Sequence, residues 1–268
     1  MNRSRRAGIL VAGLAAVTLT ASACGGGSSG DAQSSGAPGA DALTKAEGVT
    51  AITFWHSMKA ANADALNAMV AAFNKQHADK IKVDAVFQGE YGDVVTKYKA
   101  SVQQKKTPDL VQIYDIGTRF MVDSKQTVLA ADFVAKDSHD MSSIEPNIAN
   151  YYTLDGKLRS MPLNSSLPLL YINADAFKRA GLDPTKPPQT LDEIMAAAKK
   201  LTIKKANGQV QQYGFGAAIY GWLLEQLIAQ SGETYCNLEN GRKGLATEVQ
   251  FGGATGTKVA AWWAEMVK

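Results

Sequence analysis

Cysteine and histidine are scarce in this chain of 268 residues: Cys24 and Cys236 are its 2 cysteines, and His56, His77 and His139 its 3 histidines. No histidine has a second ligand at helical or loop spacing and Cys236 has no CxxC neighbour, so the sequence implies no metal and no cofactor. Phosphate loops of the GxxxxGK[ST] kind, HExxH helices and GxSxG nucleophile turns are missing as well, which leaves an enzyme without a positive signal. Charge of one sign is also lacking. The formal net charge is +3, and Arg3, Arg5 and Arg6 sit in an N-terminal stretch without acidic residues, so the remainder is neutral. A field able to collect nucleic acid is therefore absent. The apolar run 7–20 is 14 residues long, short of the roughly 20 that a bilayer-spanning helix needs.

What is there begins with an address. Three arginines, the apolar run and the small residues Ala21, Ser22 and Ala23 before Cys24 make residues 1–23 a secretory signal peptide of lipoprotein type, with Cys24 the lipidated residue. Residues 24–48 are rich in Gly, Ser and Ala without apolar periodicity, the composition of a flexible tether. These features predict a protein lipid-anchored to the outer face of the cell membrane. Cys236 is then left as a free, partly buried thiol.

From residue 49 the pattern alternates. Residues 50–55 and 81–87 read as strands, 61–77 and 93–104 as amphipathic helices, and 110–116 as a third apolar strand. That order predicts an α/β fold with a parallel sheet covered by helices. Asp155-Gly156 marks a hairpin turn. Further strands are expected at 169–172 and 213–217, and a helix at 222–230. Asn173 is suited to cap a helix over 174–180 that Gly181 stops, and Thr190 with Glu193 forms a capping box. Val259, Trp262, Trp263 and Met266 share one face of a last helix, which needs an apolar surface to cover it.

Several stretches then occur in a telling order: FWHSM at 54–58, GEY at 89–91, QIYDIGT at 112–118 and NSSLPLLYINADAFKRAGLDPTKPPQT at 164–190. Together they resemble the extracytoplasmic solute-binding proteins of ABC importers, carbohydrate-type family 1, and within it the glycerol-3-phosphate binders. The resemblance implies a two-lobed periplasmic-binding-protein type II fold, with a first α/β lobe over 49–167 and a partial second lobe over 168–268. It also implies a chain truncated at its C-terminus, since such proteins run well past this length. Tyr91, Asp115 and Ser166 match ligand-contacting positions of the family. Ser165, Trp222, Trp55 and His56 are further candidates. As purely structural roles, Tyr91 would sit at a helix start, Asp115 would cap a helix near Gly117, and Ser166 would serve a turn.

Two departures bear on the ligand. Asp115 stands where those binders carry a glutamate, and Ile219 and Trp222 stand where they carry two tryptophans. Both changes enlarge the pocket. The resemblance therefore implies a monomeric, non-enzymatic receptor that hands a glycerol-phosphate-type solute to a membrane permease: glycerol 3-phosphate, or a bulkier glycerophosphodiester such as glycerophosphocholine. An oligosaccharide receptor is the alternative within binding proteins. A secreted serine hydrolase using Ser165 or Ser166 with His56 is the rival from another class, and it lacks a nucleophile elbow.

Overall fold

The structure is a computed structural model that describes residues 36–39, 41–218 and 220–267. The expected signal peptide, Cys24 and Ile219 lie outside the described residues. In chain order the elements are α1 (Ala42–Lys45), β1 (Thr50–His56), α2 (Ala60–Gln76), β2 (Ile81–Phe87), α3 (Tyr91–Gln103), β3 (Leu110–Val111), a 3-10 turn (Asp115–Gly117) and α4 (Thr118–Ser124). They continue with α5 (Ala130–Asp137), α6 (Pro146–Tyr151), β4 (Thr153–Leu154), β5 (Lys157–Leu158), α7 (Ala174–Arg179) and α8 (Leu191–Leu201). The last are β6 (Ile203–Lys204), β7 (Val210–Gln212), α9 (Gly221–Ala229), a left-handed turn (Asn237–Gly241) and α10 (Ala254–Met266). Among the described residues no helix is long and apolar enough to cross a membrane.

β1 is the middle of a parallel sheet of order β2-β1-β3, with Thr50 opposite Ile81 and Phe54 opposite Leu110. The β-branched and apolar residues of β1 suit a strand flanked on both sides. Asn74 of α2 takes up the outer edge of β2: its Oδ1 accepts from the Val83 N–H (2.7 Å) and its Nδ2 donates to the Val83 carbonyl (2.8 Å). The edge is thereby blunted by a side chain rather than left as a template for another strand. Val94 and Tyr98 are buried on α3, and the Tyr98 ring meets Phe120 edge-on at 6.3 Å.

The second half is organised by capped helices. Asn173 Oδ1 accepts the Ala176 N–H at 2.9 Å, and Gly181, at φ +69°, lets the chain leave α7 in the left-handed region. Thr190 and Glu193 bond reciprocally across the first turn of α8. Ala176 and Phe177 of α7 pack on Ala197 and Leu201 of α8, with Ile172, Ala180 and Leu182 around them. The last helix does find its cover: Trp262 is buried, meets the Phe215 ring edge-on at 5.9 Å, and donates its indole N–H to the Leu191 carbonyl at 2.8 Å.

Three expected strands are corrected. β3 ends at Val111 because the chain turns into the 3-10 turn at Asp115, although Asp109 Oδ2 accepts from the Thr53 N–H (2.8 Å) and Gln112 N–H donates to the Trp55 carbonyl (2.8 Å), which prolongs the pairing at both ends. Residues 169–172 are irregular, since no described strand lies beside them; Leu169 and Tyr171 are exposed. Residues 213–217 are irregular because Gly214 lies against α8. A Cβ there would come within 1.9 Å of the Ala198 carbonyl oxygen. The antiparallel pair instead forms at β6 and β7.

The capping box gives the first prediction. Thr190→Ala should lower stability by about 1 kcal/mol, read from the denaturation midpoint; an unchanged midpoint would contradict the capping role.

Candidate functional site

The three parallel strands deliver their carboxyl ends to one side, and the loops that leave them carry the polar residues. At the end of β1, His56 is 3% exposed, lies between the rings of Phe54 (6.0 Å) and Phe87 (5.9 Å), and its Nδ1 accepts the Met58 N–H at 3.2 Å. Burial lowers its pKa. A neutral imidazole is what the accepting Nδ1 requires. Trp55, one residue earlier, is half-buried within the strand. Gln112, just past β3, is buried and ties three segments together: its Oε1 accepts from the Ser57 N–H (2.9 Å) and its Nε2 donates to Asn164 Oδ1 (3.0 Å). Ser165 and Ser166 follow Asn164 directly and are exposed. The Gln112 tie thus brings the serine loop to the strand ends.

Tyr91 opens α3 behind Glu90, whose capping box with Asp93 sets the start of the helix. Gly89, at φ +103°, makes the bend possible, and a Cβ there would lie 2.5 Å from Asp93 Oδ2. The Tyr91 ring stacks on Tyr114, centroids 5.5 Å apart and planes within 4°. Asp115 comes next in the chain as the first residue of the 3-10 turn. Its Oδ2 accepts from the Tyr151 hydroxyl at 2.9 Å.

Electrostatics extends the group. The Tyr151 pKa is pushed up to about 12, first by burial around its hydroxyl, then by the Asp115 charge and the bond to it, with Arg242 opposing. Tyr152 is raised by burial and by Asp115, again with Arg242 opposing. Tyr220 is raised by burial and then by Tyr114, Asp115, Tyr91 and Glu225. Burial and the Asp115 charge raise Glu225 on α9. Trp222 lies beside Tyr220, ring centroids 6.3 Å apart. Five of the chain's 9 tyrosines (91, 114, 151, 152 and 220) therefore share the neighbourhood of one carboxylate.

Of the residues singled out in the sequence, Tyr91 and Asp115 are brought together here, and Trp222 joins them through Tyr220. Ser165 and Ser166 are attached by way of Gln112 and Asn164. Trp55 and His56 belong to the strand and its closing turn. Gln112, Tyr114, Tyr151, Tyr152, Tyr220, Glu225 and Arg242 went unnoticed; the adjacent pair Tyr151-Tyr152 and the Tyr114-Asp115 step could have signalled three of them, while nothing in the sequence marks Gln112, Tyr220, Glu225 or Arg242. Phenols present flat apolar faces with a hydroxyl at the rim, and a carboxylate accepts hydroxyl protons. The arrangement suits a small polyhydroxylated guest. A separate cavity of about 540 Å³ lies at α7 and α8, lined by Phe177, Leu182, Pro187, Glu193 and Lys200; it gathers no comparable aromatic and acidic group. Among the described residues no three His, Cys, Asp or Glu side chains come together as metal ligands.

The sequence pattern of a family described as bacterial extracellular solute-binding protein matches residues 68–268. The chain is 35% identical over 209 residues to the sn-glycerol-3-phosphate-binding periplasmic protein UgpB of Yersinia enterocolitica, covering 76% of this chain and 46% of that protein. It is 33% identical over 232 residues to the UgpB of Escherichia coli O1:K1, covering 84% and 51%. The chain thus spans about half the length of the curated relatives it matches. Among solved structures, UgpB from Mycobacterium tuberculosis in complex with glycerophosphocholine superposes with a TM-score of 0.64 at 19% identity, over 81% of this chain and 52% of that one. An ABC substrate-binding protein from Listeria monocytogenes in complex with cycloalternan superposes with a TM-score of 0.62 at 22% identity, over 80% and 52%. Both share the fold.

The like charges at the site give a prediction that needs no ligand. Asp115→Asn removes the repulsion on Glu225 and Tyr220, so both pKa values should fall toward their ordinary ranges. Carboxyl and phenol carbon NMR through a pH titration would read this. Unmoved values would mean that the two halves of the cluster do not face each other.

Proposed function

This chain belongs to the bacterial extracellular solute-binding proteins, and from that footing we propose that it is the capture component of an ABC importer for a glycerol-phosphate-type solute. The observation that carries the reading is the Asp115 carboxylate, four residues past the end of a parallel strand and surrounded by phenols. In open α/β sheets, ligands are held outside the carboxyl ends of the strands. On this reading Asp115 accepts hydrogen bonds from the glycerol hydroxyls, with one oxygen already engaged by Tyr151. The Tyr91 and Tyr114 faces and Trp222 cover the apolar edge of the guest. Ser166, with Ser165 beside it, offers a hydroxyl and a backbone N–H to an oxygen of the phosphate or of a hydroxyl.

Asp115 is one methylene shorter than a glutamate would be, and Ile219 supplies no aromatic wall. The guest we favour is therefore a glycerophosphodiester such as glycerophosphocholine over glycerol 3-phosphate. We assign residues 49–167 to a first lobe and 168–268 to part of a second, with the solute between them. Contacts made only in the closed form favour closure, and the permease recognises that form. Cys24 would carry the lipid that keeps the receptor, a monomer, at the outer face of the membrane. No step of this function is chemical. An oligosaccharide guest is the second reading, because the stacked Tyr91 and Tyr114 present the kind of flat face on which a sugar ring can lie.

Calorimetry with glycerophosphocholine, glycerol 3-phosphate and a neutral oligosaccharide is the test. The diester should bind most tightly, and Asp115→Ala should weaken it roughly 10- to 100-fold, the worth of hydrogen bonds to a charged group. Tight glycerol 3-phosphate binding with none for the diester would overturn the choice of guest. A preference for the neutral sugar would transfer the site to the second reading.

A further inference from the structure

Arg242 is a half-buried cation with an unusual seat. Its guanidinium lies over the Tyr151 ring, 3.9 Å from the centroid, and one of its N–H groups donates to the Tyr151 carbonyl. No carboxylate pairs with it among the described residues. Tyr151 is itself 46% exposed, and its ring lies between the guanidinium and the Tyr152 ring, which meets it edge-on at 5.3 Å. The Tyr151 hydroxyl reaches Asp115 Oδ2 at 2.9 Å.

The segment that presents Arg242 is held in a conformation it would not adopt unaided. Leu238, Glu239 and Asn240 have φ of 54°, 54° and 57°, and Gly241 follows at 77°. Consecutive left-handed residues other than glycine persist only where tertiary bonds impose them. Those bonds are present. Asn240 Oδ1 accepts from the N–H groups of Tyr235 (2.7 Å) and Cys236 (3.0 Å), and Asn237 Oδ1 accepts from those of Thr247 (3.0 Å) and Glu248 (3.3 Å). Cys236 also bridges to Val249. Arg242 follows this turn directly and reaches Tyr151 from it.

We infer that Arg242 is a positioning residue: seated on Tyr151, it holds that phenol against Asp115 and so couples the 236–249 segment to the carboxylate that receives the solute. The role assigned to Asp115 rests on the function proposed above; the clasp itself does not. Asp115 keeps one oxygen for the phenol and turns the other toward the guest. Arg242 acts through Tyr151 and does not touch the solute. Because Arg242 and Asp115 come from opposite sides of the proposed lobe boundary, the clasp also makes the carboxylate's orientation depend on how the two parts sit together.

The test has two arms. In the unliganded chain labelled with ¹³Cζ-tyrosine, the Tyr151 resonance is identified by its loss in Tyr151→Phe. The charged and titratable groups around it are Asp115, Arg242 and the neighbouring Tyr152. In the wild type this resonance should stay un-ionised to about pH 11. In Arg242→Ala it should titrate close to the ordinary 10.0, because the freed phenol leaves Asp115 and its burial. Arg242→Lys, which keeps a cation over the ring, should preserve the wild-type behaviour. Arg242→Met, which keeps the packing of the stem, should follow Arg242→Ala and serves if that variant fails to fold. A phenol that stays un-ionised without the cation overturns the inference, since removing the positive charge alone can only raise its pKa.

The second arm measures affinity for glycerophosphocholine in a double-mutant cycle. Arg242→Ala and Tyr151→Phe should each cost about 10-fold, and the double variant no more than either, because the two act in series. Additive losses would make Arg242 an anion-binding group in its own right and overturn the positioning role. Should the wild type bind none of the glycerol phosphates, the guest proposed above is what has failed, and the tyrosine titration decides the clasp by itself.

Discussion

One constraint orders the rest of this molecule: a carboxylate must be kept just past the end of a parallel strand, partly out of water, without a cation bonded directly to it among the described residues. Asp115 meets that constraint through the Tyr151 hydroxyl, which satisfies one oxygen while leaving its charge in place. Burial first, and after it that charge among other neighbours, raises the pKa of Tyr151, Tyr152, Tyr220 and Glu225. The sheet supplies the platform. Gln112, buried one residue past β3, bonds the turn after β1 and the loop at Asn164, so that the loops leaving the strands are fixed relative to one another.

Much of the sheet was legible in the sequence because its signals are local. β2 occupies the residues that period-two alternation marks, and α2 and β1 agree with their patterns to within a residue. Thr190 and Asn173 cap helices because their side chains reach backbone N–H groups a turn away, which sequence spacing alone can express. Where the reading failed, the deciding partner was distant or missing. Residues 169–172 look like a strand, yet a strand needs a neighbour to pair with, and no described one lies alongside. Residues 213–217 have strand-like composition, yet the contact of Gly214 with the Ala198 carbonyl fixes their path.

The site divides in the same way. Tyr91 and Asp115 were accessible because the motifs around them resemble a family; the structure places each four residues past the end of a strand, at Phe87 and Val111. Tyr151, Tyr220, Glu225 and Arg242 were not, since no spacing relates them. Arg242 reaches Tyr151 from 91 residues away, behind a turn in which Leu238 and Glu239 take a left-handed conformation that their own propensities disfavour. The side chains that tune a site are commonly of this kind: contributed by other segments, acting through one another, and visible only once the chain is folded. In a receptor whose proposed work is to close on a solute, such links matter because they let one part of the chain sense the geometry of another.

The central claim is that the carboxylate and its phenols are where the solute sits, rather than the cavity at α7 and α8. Carbon NMR during a titration with glycerophosphocholine addresses it most directly. The account predicts that the Asp115 carboxyl and the Tyr91 and Tyr114 ring resonances move together and saturate at one ligand concentration, while Phe177 and Leu182 stay still. Saturable shifts confined to Phe177 and Leu182, with Asp115 unmoved, would contradict it.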